Sequence, residues 1–197
     1  LTCTGITYRG EAIAFTHEGD SLVAHLPEDP IAEAPLTIEV SWEGRPPPYG
    51  PFRAGLMFRM QENGTLDDSS DDIPIIASMS QPSSSHSWWP CKDKPGDKFF
   101  VSLKMTVPDT LVGVSNGSLV AETDAEPGWR SYAWREDYPI AAYLVSVAIS
   151  DYVLLEEDCL TDGLGSFVPL KNWVFLTDVE DGRYDGYPEL GVTEAGM

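Results

Sequence analysis

The chain has 197 residues, of which 42% are hydrophobic and 22% charged, a composition that excludes a disordered polyelectrolyte and is typical of a folded globular protein. Twelve Lys and Arg against thirty-two Asp and Glu give a formal net charge of −20, which repels nucleic acid phosphates and anionic lipid. We therefore expect no nucleic acid partner. No apolar run approaches the roughly 20 residues that cross a bilayer, so no transmembrane segment is predicted.

The cysteines, Cys3, Cys91 and Cys159, are too few and too widely spaced for a disulfide scaffold or a cysteine-rich zinc module, and they leave room for one disulfide at most. No basic segment followed by an apolar core opens the chain, so no signal peptide is predicted, and neither a cytoplasmic nor an exported location is favoured. The first residue is Leu1 rather than Met, which we interpret as processing or trimming upstream.

Short segments of β-type sequence alternate with turn residues, and no apolar pattern of helical spacing extends over a dozen residues. We predict an all-β fold, a large antiparallel β-sandwich or saddle of about eleven short strands, with residues 1–197 forming a single domain. The predicted strands are 11–17, 21–26, 36–42, 54–60, 73–78, 99–107, 111–114, 119–123, 129–135, 144–149 and 173–177.

Several connections have recognisable turn chemistry. Glu18-Gly19-Asp20 predicts a hairpin, and Asn116-Gly117 favours a type I′ turn, because both of its residues tolerate positive φ. The proline-rich segment 45–51 predicts a stiff loop. The acidic segment 67–72 offers oxygen atoms to calcium but lacks the glycine and final Glu of an EF-hand loop, so we interpret it as a solvated loop.

No complete catalytic set is present in the sequence. The histidines are His17, His25 and His86, and Ser21 stands where a zinc helix that began at His17-Glu18 would need its second histidine. The serine-rich segment 83–87 places hydroxyls beside His86 but shows neither a nucleophile elbow nor an oxyanion hole. We therefore predict neither a catalytic residue nor a metal site in this chain.

The most informative segment is 78–95, which holds the sequence Gln81-Pro82 and, after two tryptophans, Pro90-Cys91-Lys92-Asp93-Lys94-Pro95. From the residues alone it is a rigid aromatic corner. Trp88 and Trp89 are expected to fill core space, and the Asp93 carboxylate is expected to accept backbone amides at a tight bend.

This segment resembles the aminopeptidase N family of zinc peptidases, whose N-terminal domain carries a Gln or Glu before Pro or Ala and then an aromatic-Pro-Cys-x-Asp-x-Pro turn. The matching structural residues are Pro82, Trp89, Pro90, Cys91, Asp93 and Pro95. Further similar stretches follow in the family's order at 107–108, 111–117, 132–134 and 139–148, so the resemblance covers about residues 70–155.

The resemblance implies a role for one residue of this chain. In that family the Gln or Glu before the Pro or Ala step helps to bind the free α-amino group of the substrate, and the matching residue here is Gln81. The Gln81-Pro82 bond is expected to be cis, which costs an X-Pro bond only about 0.5–1 kcal/mol.

The resemblance also implies a parent enzyme, with a catalytic domain on the same polypeptide that binds zinc and removes N-terminal residues from peptides. This chain alone is then expected to be inactive and to hold no cofactor. Residues 178–197 are similar to the approach to the family's Gly-x-Met-Glu-Asn strand and end at its methionine, Met197. The family has a helix before that strand, so either residues are missing before Tyr187 or this correspondence does not hold.

Two other interpretations stay open at this point. The chain is alternatively a free-standing β-sandwich that binds carbohydrate or protein through exposed, coplanar tryptophans, the candidates being Trp42, Trp88, Trp89 and Trp129. A third interpretation treats it as a scaffold in which the Gln81 loop has no ligand.

Overall fold

The computed structural model of the protein describes residues 1–31, 34–46, 54–61, 73–160 and 167–175. Its regular structure in these ranges is fourteen strands and two short 3-10 helices, Ser85–Ser87 and Ala142–Leu144, which confirms the all-β prediction. The strands are β1 Thr2–Tyr8, β2 Glu11–Ala12, β3 Phe15–Glu18, β4 Ser21–Ala24, β5 Ile38–Glu43, β6 Gly55–Gln61, β7 Ile73–Met79, β8 Phe99–Pro108, β9 Val112–Ser115, β10 Ser118–Asp124, β11 Trp129–Ile140, β12 Val147–Ser150, β13 Tyr152–Leu160 and β14 Phe167–Phe175.

Two of these strands, β1 and β13, are missing from the sequence prediction. In β1 the register against β5 shifts between Cys3 and Gly5, and a glycine at a bulge interrupts the alternation that predicts a strand. In β13 acidic residues obscure the pattern, and one of them, Glu156, is paired across the hairpin with Lys171 of β14 at 2.8 Å. Both strands therefore depend on their partners more than on local sequence.

The chain divides into two compact units, and the first comprises Leu1–Met57, Ser78–Val101 and Asp137–Ser146. It contains the antiparallel sheet β2-β1-β5 and the antiparallel hairpin β3-β4. The predicted turn Glu18-Gly19-Asp20 does close this hairpin, with Gly19 at a φ of 57°. Among the described residues of the first unit, the buried apolar ones are Ile6, Ala54, Ala141, Ala142 and Val145.

The second unit comprises Phe58–Ala77, Ser102–Glu136 and Val147–Met197. It holds most of the sheets β10-β11-β8 and β6-β7-β12-β9 and the hairpin β13-β14. Tyr132 and Trp134 are buried and alternate along β11, so both face one side of its sheet. There Tyr132 Oη donates to the Leu111 carbonyl at 3.3 Å and Trp134 Nε1 donates to the Gly113 carbonyl at 2.9 Å.

The turn at Asn116-Gly117 differs from its prediction. It does not close a hairpin, because β9 belongs to the four-stranded sheet and β10 to the three-stranded one. A type I′ turn requires positive φ at both central residues. Gly117 has a φ of 77°, but Asn116 does not have a positive φ, since Arg9 is the one non-glycine residue with positive φ in the described ranges. The glycine is needed because a Cβ at Gly117 would overlap the Arg135 carbonyl.

Some predictions fall outside the described residues. These are the acidic loop 67–72, most of the proline-rich loop 45–51 and the terminal segment 178–197. Within the ranges that the structure describes, no helix has the length and apolar character needed to span a membrane.

Candidate functional site

Gln81 lies at the tip of a tight turn in the first unit, directly after β7. Gln81, Pro82 and Ser83 are exposed, whereas Ser80 before them and Ser84 after them are 3% and 6% exposed. The Ser84 amide donates to the Ser80 carbonyl at 2.8 Å, which closes the turn, and the Gln81-Pro82 bond is cis, as predicted. An exposed glutamine is thus presented on a buried, hydrogen-bonded base.

Trp88 joins this turn to the aromatic corner. Its indole Nε1 donates to Ser80 Oγ at 2.8 Å, and its backbone amide donates to the Ser85 carbonyl at 3.1 Å. The Trp88 and Trp89 ring centroids are 6.0 Å apart, and Trp89 meets Phe99 edge-on at 5.8 Å. Both indoles are partly buried, so they support the turn rather than fill a fully buried core.

The Asp93 carboxylate accepts one backbone amide of the kind that the sequence predicts and also contacts a side chain. Its Oδ2 receives the backbone amide of His86 at 3.3 Å and lies 2.8 Å from His86 Nδ1. Only 9% of the Asp93 side chain is exposed, against 23% for His86. The motif's aspartate therefore fixes the 3-10 helix Ser85–Ser87 that follows the Gln81 turn.

The remaining motif residues shape the surface beside this helix. Pro90 and Cys91, together with His86, contribute to the wall of a cavity of about 550 Å³ whose other walls come from β1, β3, β4 and β5. Burial, and secondarily the nearby Asp93 charge, raises the pKa of the Cys91 thiol to about 12. Pro95 occupies the second position of a turn in which the Asp97 amide donates to the Lys94 carbonyl at 3.0 Å.

The other histidines, His17 and His25, and the cysteines Cys3 and Cys91 all lie in the first unit. His17 lies on β3 at the wall of the same cavity, and His25 Nε2 is 2.8 Å from Thr16 Oγ1. Among the described residues, no three His, Cys, Asp or Glu side chains are grouped so that they would hold a metal ion. Cys3 and Cys91 are free thiols.

Trp88 and Trp89 do not form the exposed, coplanar surface that the carbohydrate-binding interpretation requires of them. The planes of Trp88 and Trp89 are inclined by 58°, and both rings are partly buried. Trp42 lies on β5 and Trp129 begins β11, each 42% exposed. The arrangement at Trp88 and Trp89 supports the structural interpretation of these two residues.

The family relationship is decided by a match over most of this chain. Residues 8–144 match the model of the peptidase M1 N-terminal domain, a range that contains the Gln81 turn and the Asp93 motif. The chain belongs to this family.

Individual relatives agree with this assignment. The M1 N-terminal domain is 32% identical over 88 residues to leucine aminopeptidase 2 of Pyricularia oryzae, covering 44% of this chain and 14% of that protein. It superposes on the M1 zinc metallopeptidase of Deinococcus radiodurans with a TM-score of 0.72 and 15% identity, covering 88% of this chain and 37% of that one. A mutant of the Deinococcus enzyme bound to a Tyr-Ser-Ala substrate gives the same TM-score and identity, with 38% of its chain covered. At this identity the structural likeness shows the fold.

Two features of the M1 N-terminal domain's turn escape the sequence analysis. The sequence identifies Gln81 and Asp93 but not Ser80 or His86, which bind Trp88 and Asp93 respectively. A serine and a histidine inside a serine-rich run carry no pattern that distinguishes them from solvated loop residues. The sequence offers one indication for Ser80, which is that it directly precedes the Gln81-Pro82 step.

Proposed function

We propose that this M1 N-terminal domain is part of a zinc-dependent aminopeptidase and that Gln81 binds the free α-amino group of its peptide substrate. The observation that carries the proposal is the exposed Gln81 side chain on a turn whose flanking serines are buried and hydrogen-bonded. A carboxamide oxygen accepts a hydrogen bond from an ammonium group, and a rigid base lowers the entropy lost when it does so.

The relatives support the same activity. One is named a leucine aminopeptidase, and another is a zinc metallopeptidase with a structure bound to a tripeptide substrate. This chain spans 14% and about 37–38% of the lengths of these relatives, so the zinc-binding catalytic domain would lie elsewhere on the same polypeptide. The described residues contain no ligand set for zinc, and no step of hydrolysis is assigned to them.

The two domains of the proposed enzyme would have different roles. The catalytic domain would supply zinc and the hydrolytic chemistry, whereas this domain would cap the active site and hold the substrate's amino end. The family match from 8 to 144 runs through segments of both compact units, which supports treating the two units as parts of one N-terminal domain. Expressed alone, the domain should release no amino acids from peptides, with or without added zinc.

The test is Gln81→Ala in the complete polypeptide that carries this chain. A hydrogen bond to a charged group contributes about 1.5–3 kcal/mol, so kcat/KM on an amino-acyl arylamide should fall by roughly ten- to a hundredfold. The loss should appear mainly in KM, because the ammonium is held in both the ground state and the transition state.

A pair of inhibitors isolates the contact. A free amino acid carries the ammonium, whereas its des-amino analogue has the same side chain and carboxylate without it. Gln81→Ala should weaken inhibition by the amino acid and leave inhibition by the analogue unchanged. Equal inhibition constants in wild type and variant for both compounds, or no aminopeptidase activity in the complete polypeptide, would overturn the proposal.

A further inference from the structure

We propose that Ser80 and Trp88 are positioning residues, which act on the substrate's amino group only through Gln81 by fixing the turn that carries it. The inference rests on the proposed function of Gln81 and extends it to two side chains that make no substrate contact themselves. Ser80 is 3% exposed and directly precedes Gln81 in the chain.

Ser80 is held from two directions. Its carbonyl oxygen accepts the Ser84 amide, and its hydroxyl oxygen accepts the Trp88 indole N–H, each at 2.8 Å. The first bond closes the turn, and the second ties the turn's base to the aromatic corner. Water cannot replace either bond easily at a buried residue, so both restrict how the backbone can carry the Gln81 side chain.

Trp88 is itself immobilised, which makes it an effective anchor for Ser80. Its amide donates to the Ser85 carbonyl at 3.1 Å, and its ring packs on Trp89, which in turn contacts Phe99. The Ser85 carbonyl also accepts the Trp89 amide at 3.2 Å. The indole therefore presents its N–H from a fixed place, and a phenyl ring there would fill much of the space without the donor.

Ser80 and Trp88 can position Gln81 without contacting the substrate themselves. The Ser80 hydroxyl is buried and the Trp88 N–H is a donor already bonded to it, so neither group offers the ammonium a free hydrogen-bond acceptor, and their effect on substrate affinity passes through the turn. Misplacing a binding group by about 1 Å is enough to lose much of its contribution. Loss of the Ser80–Trp88 bond should thus weaken the amino-group contact while the Gln81 side chain is still present.

The experiment is a set of double-mutant cycles in the complete polypeptide. We would measure kcat and KM on an amino-acyl arylamide for Trp88→Phe, Ser80→Ala and Gln81→Ala, and for each of the first two combined with the third. Trp88→Phe and Ser80→Ala should each raise KM by roughly three- to tenfold with kcat nearly unchanged. In the Gln81→Ala background neither should raise KM further, because the residue through which they act is gone.

Trp129→Phe, at a 42% exposed position on β11, is the matched control and should leave KM unchanged in both backgrounds. An equal rise in KM with and without Gln81 would show a merely structural effect and overturn the inference, and so would an unchanged KM in both single variants. If Trp88→Phe does not fold, Ser80→Ala, which removes a single hydroxyl, carries the test.

The outcomes also separate this inference from the function on which it rests. If Gln81→Ala raises KM but Trp88→Phe and Ser80→Ala do not, the positioning role fails and the anchor role stands. If Gln81→Ala itself leaves KM unchanged, the anchor role fails, and the positioning role fails with it.

Discussion

Asp93 holds His86 at two atoms, with one carboxylate oxygen 3.3 Å from the backbone nitrogen and 2.8 Å from Nδ1. The pair closes a loop across residues 86–93 that contains both adjacent tryptophans. Because Ser85–Ser87 is a single 3-10 turn, it has little hydrogen bonding of its own to hold it. The acceptor at Asp93 therefore stabilises the element that follows the Gln81 turn.

Asp93→Ala should loosen this corner. The variant removes the Asp93 acceptor from the part-buried His86 amide, which costs about 1–3 kcal/mol, so that amide should exchange with solvent roughly five- to a hundredfold faster. Hydrogen exchange followed by mass spectrometry over residues 80–95 is the measurement. Asp97→Ala is the control, since its pair with Lys92 is exposed and such pairs contribute at most about 1 kcal/mol. Equal acceleration in both variants would contradict the assignment.

Gly117 and Gly128 form a second matched pair. Both have positive φ, at 77° and 84°, but a Cβ would overlap the Arg135 carbonyl at Gly117 and would meet nothing within 4 Å at Gly128. Gly128→Ala should thus cost about 1 kcal/mol from the backbone alone, and Gly117→Ala more, because the Arg135 backbone must move as well. Urea unfolding of both variants measures the difference. Equal losses of stability would show that the close approach carries no cost.

The Cys91 thiol should be unreactive near neutral pH. Burial first and Asp93 second raise its pKa to about 12, which favours the protonated form that does not attack alkylating reagents. In the native protein, the rate at which iodoacetamide modifies Cys91 should rise about tenfold per pH unit between roughly pH 7 and 10. In urea the rate should stop rising above about pH 8.5, the ordinary pKa of a cysteine thiol. Peptide mapping reports Cys91 separately from the other cysteines. A plateau below about pH 10 in the native protein would be inconsistent with this environment.

Local sequence predicts the parts of this molecule that depend on local chemistry. The alternation of apolar and polar residues predicts the all-β class, and Glu18-Gly19-Asp20 predicts its hairpin, because turn residues act within four positions. Asn116-Gly117 has the same local signal but a different outcome. Its flanking strands pair with other partners in separate sheets, and sheet membership is a long-range property that a dipeptide does not encode.

The candidate site also has features that local sequence predicts and features that it does not. The cis bond at Gln81-Pro82 and the acceptor role of Asp93 follow from residue type and from the resemblance to a known motif. The partners do not, because Ser80 and Trp88 are eight residues apart and meet only when the intervening 3-10 turn forms. Side-chain pairing of this kind is created by the fold, so local sequence does not predict the contacts that support the Gln81 turn.

Gln81→Glu should strengthen the contact with the substrate's amino group. A carboxylate adds a Coulomb attraction for the ammonium to the hydrogen bond that the carboxamide already accepts from it, so KM in the complete polypeptide should fall several-fold at low salt. The gain should shrink as ionic strength rises, because the Debye length drops from about 30 Å at 0.01 M to about 8 Å at 0.15 M. Ser83→Asp is the control: it places a negative charge on the same exposed turn without replacing the anchor. If both variants lower KM equally, the effect is general attraction of a cation and not a contact at position 81.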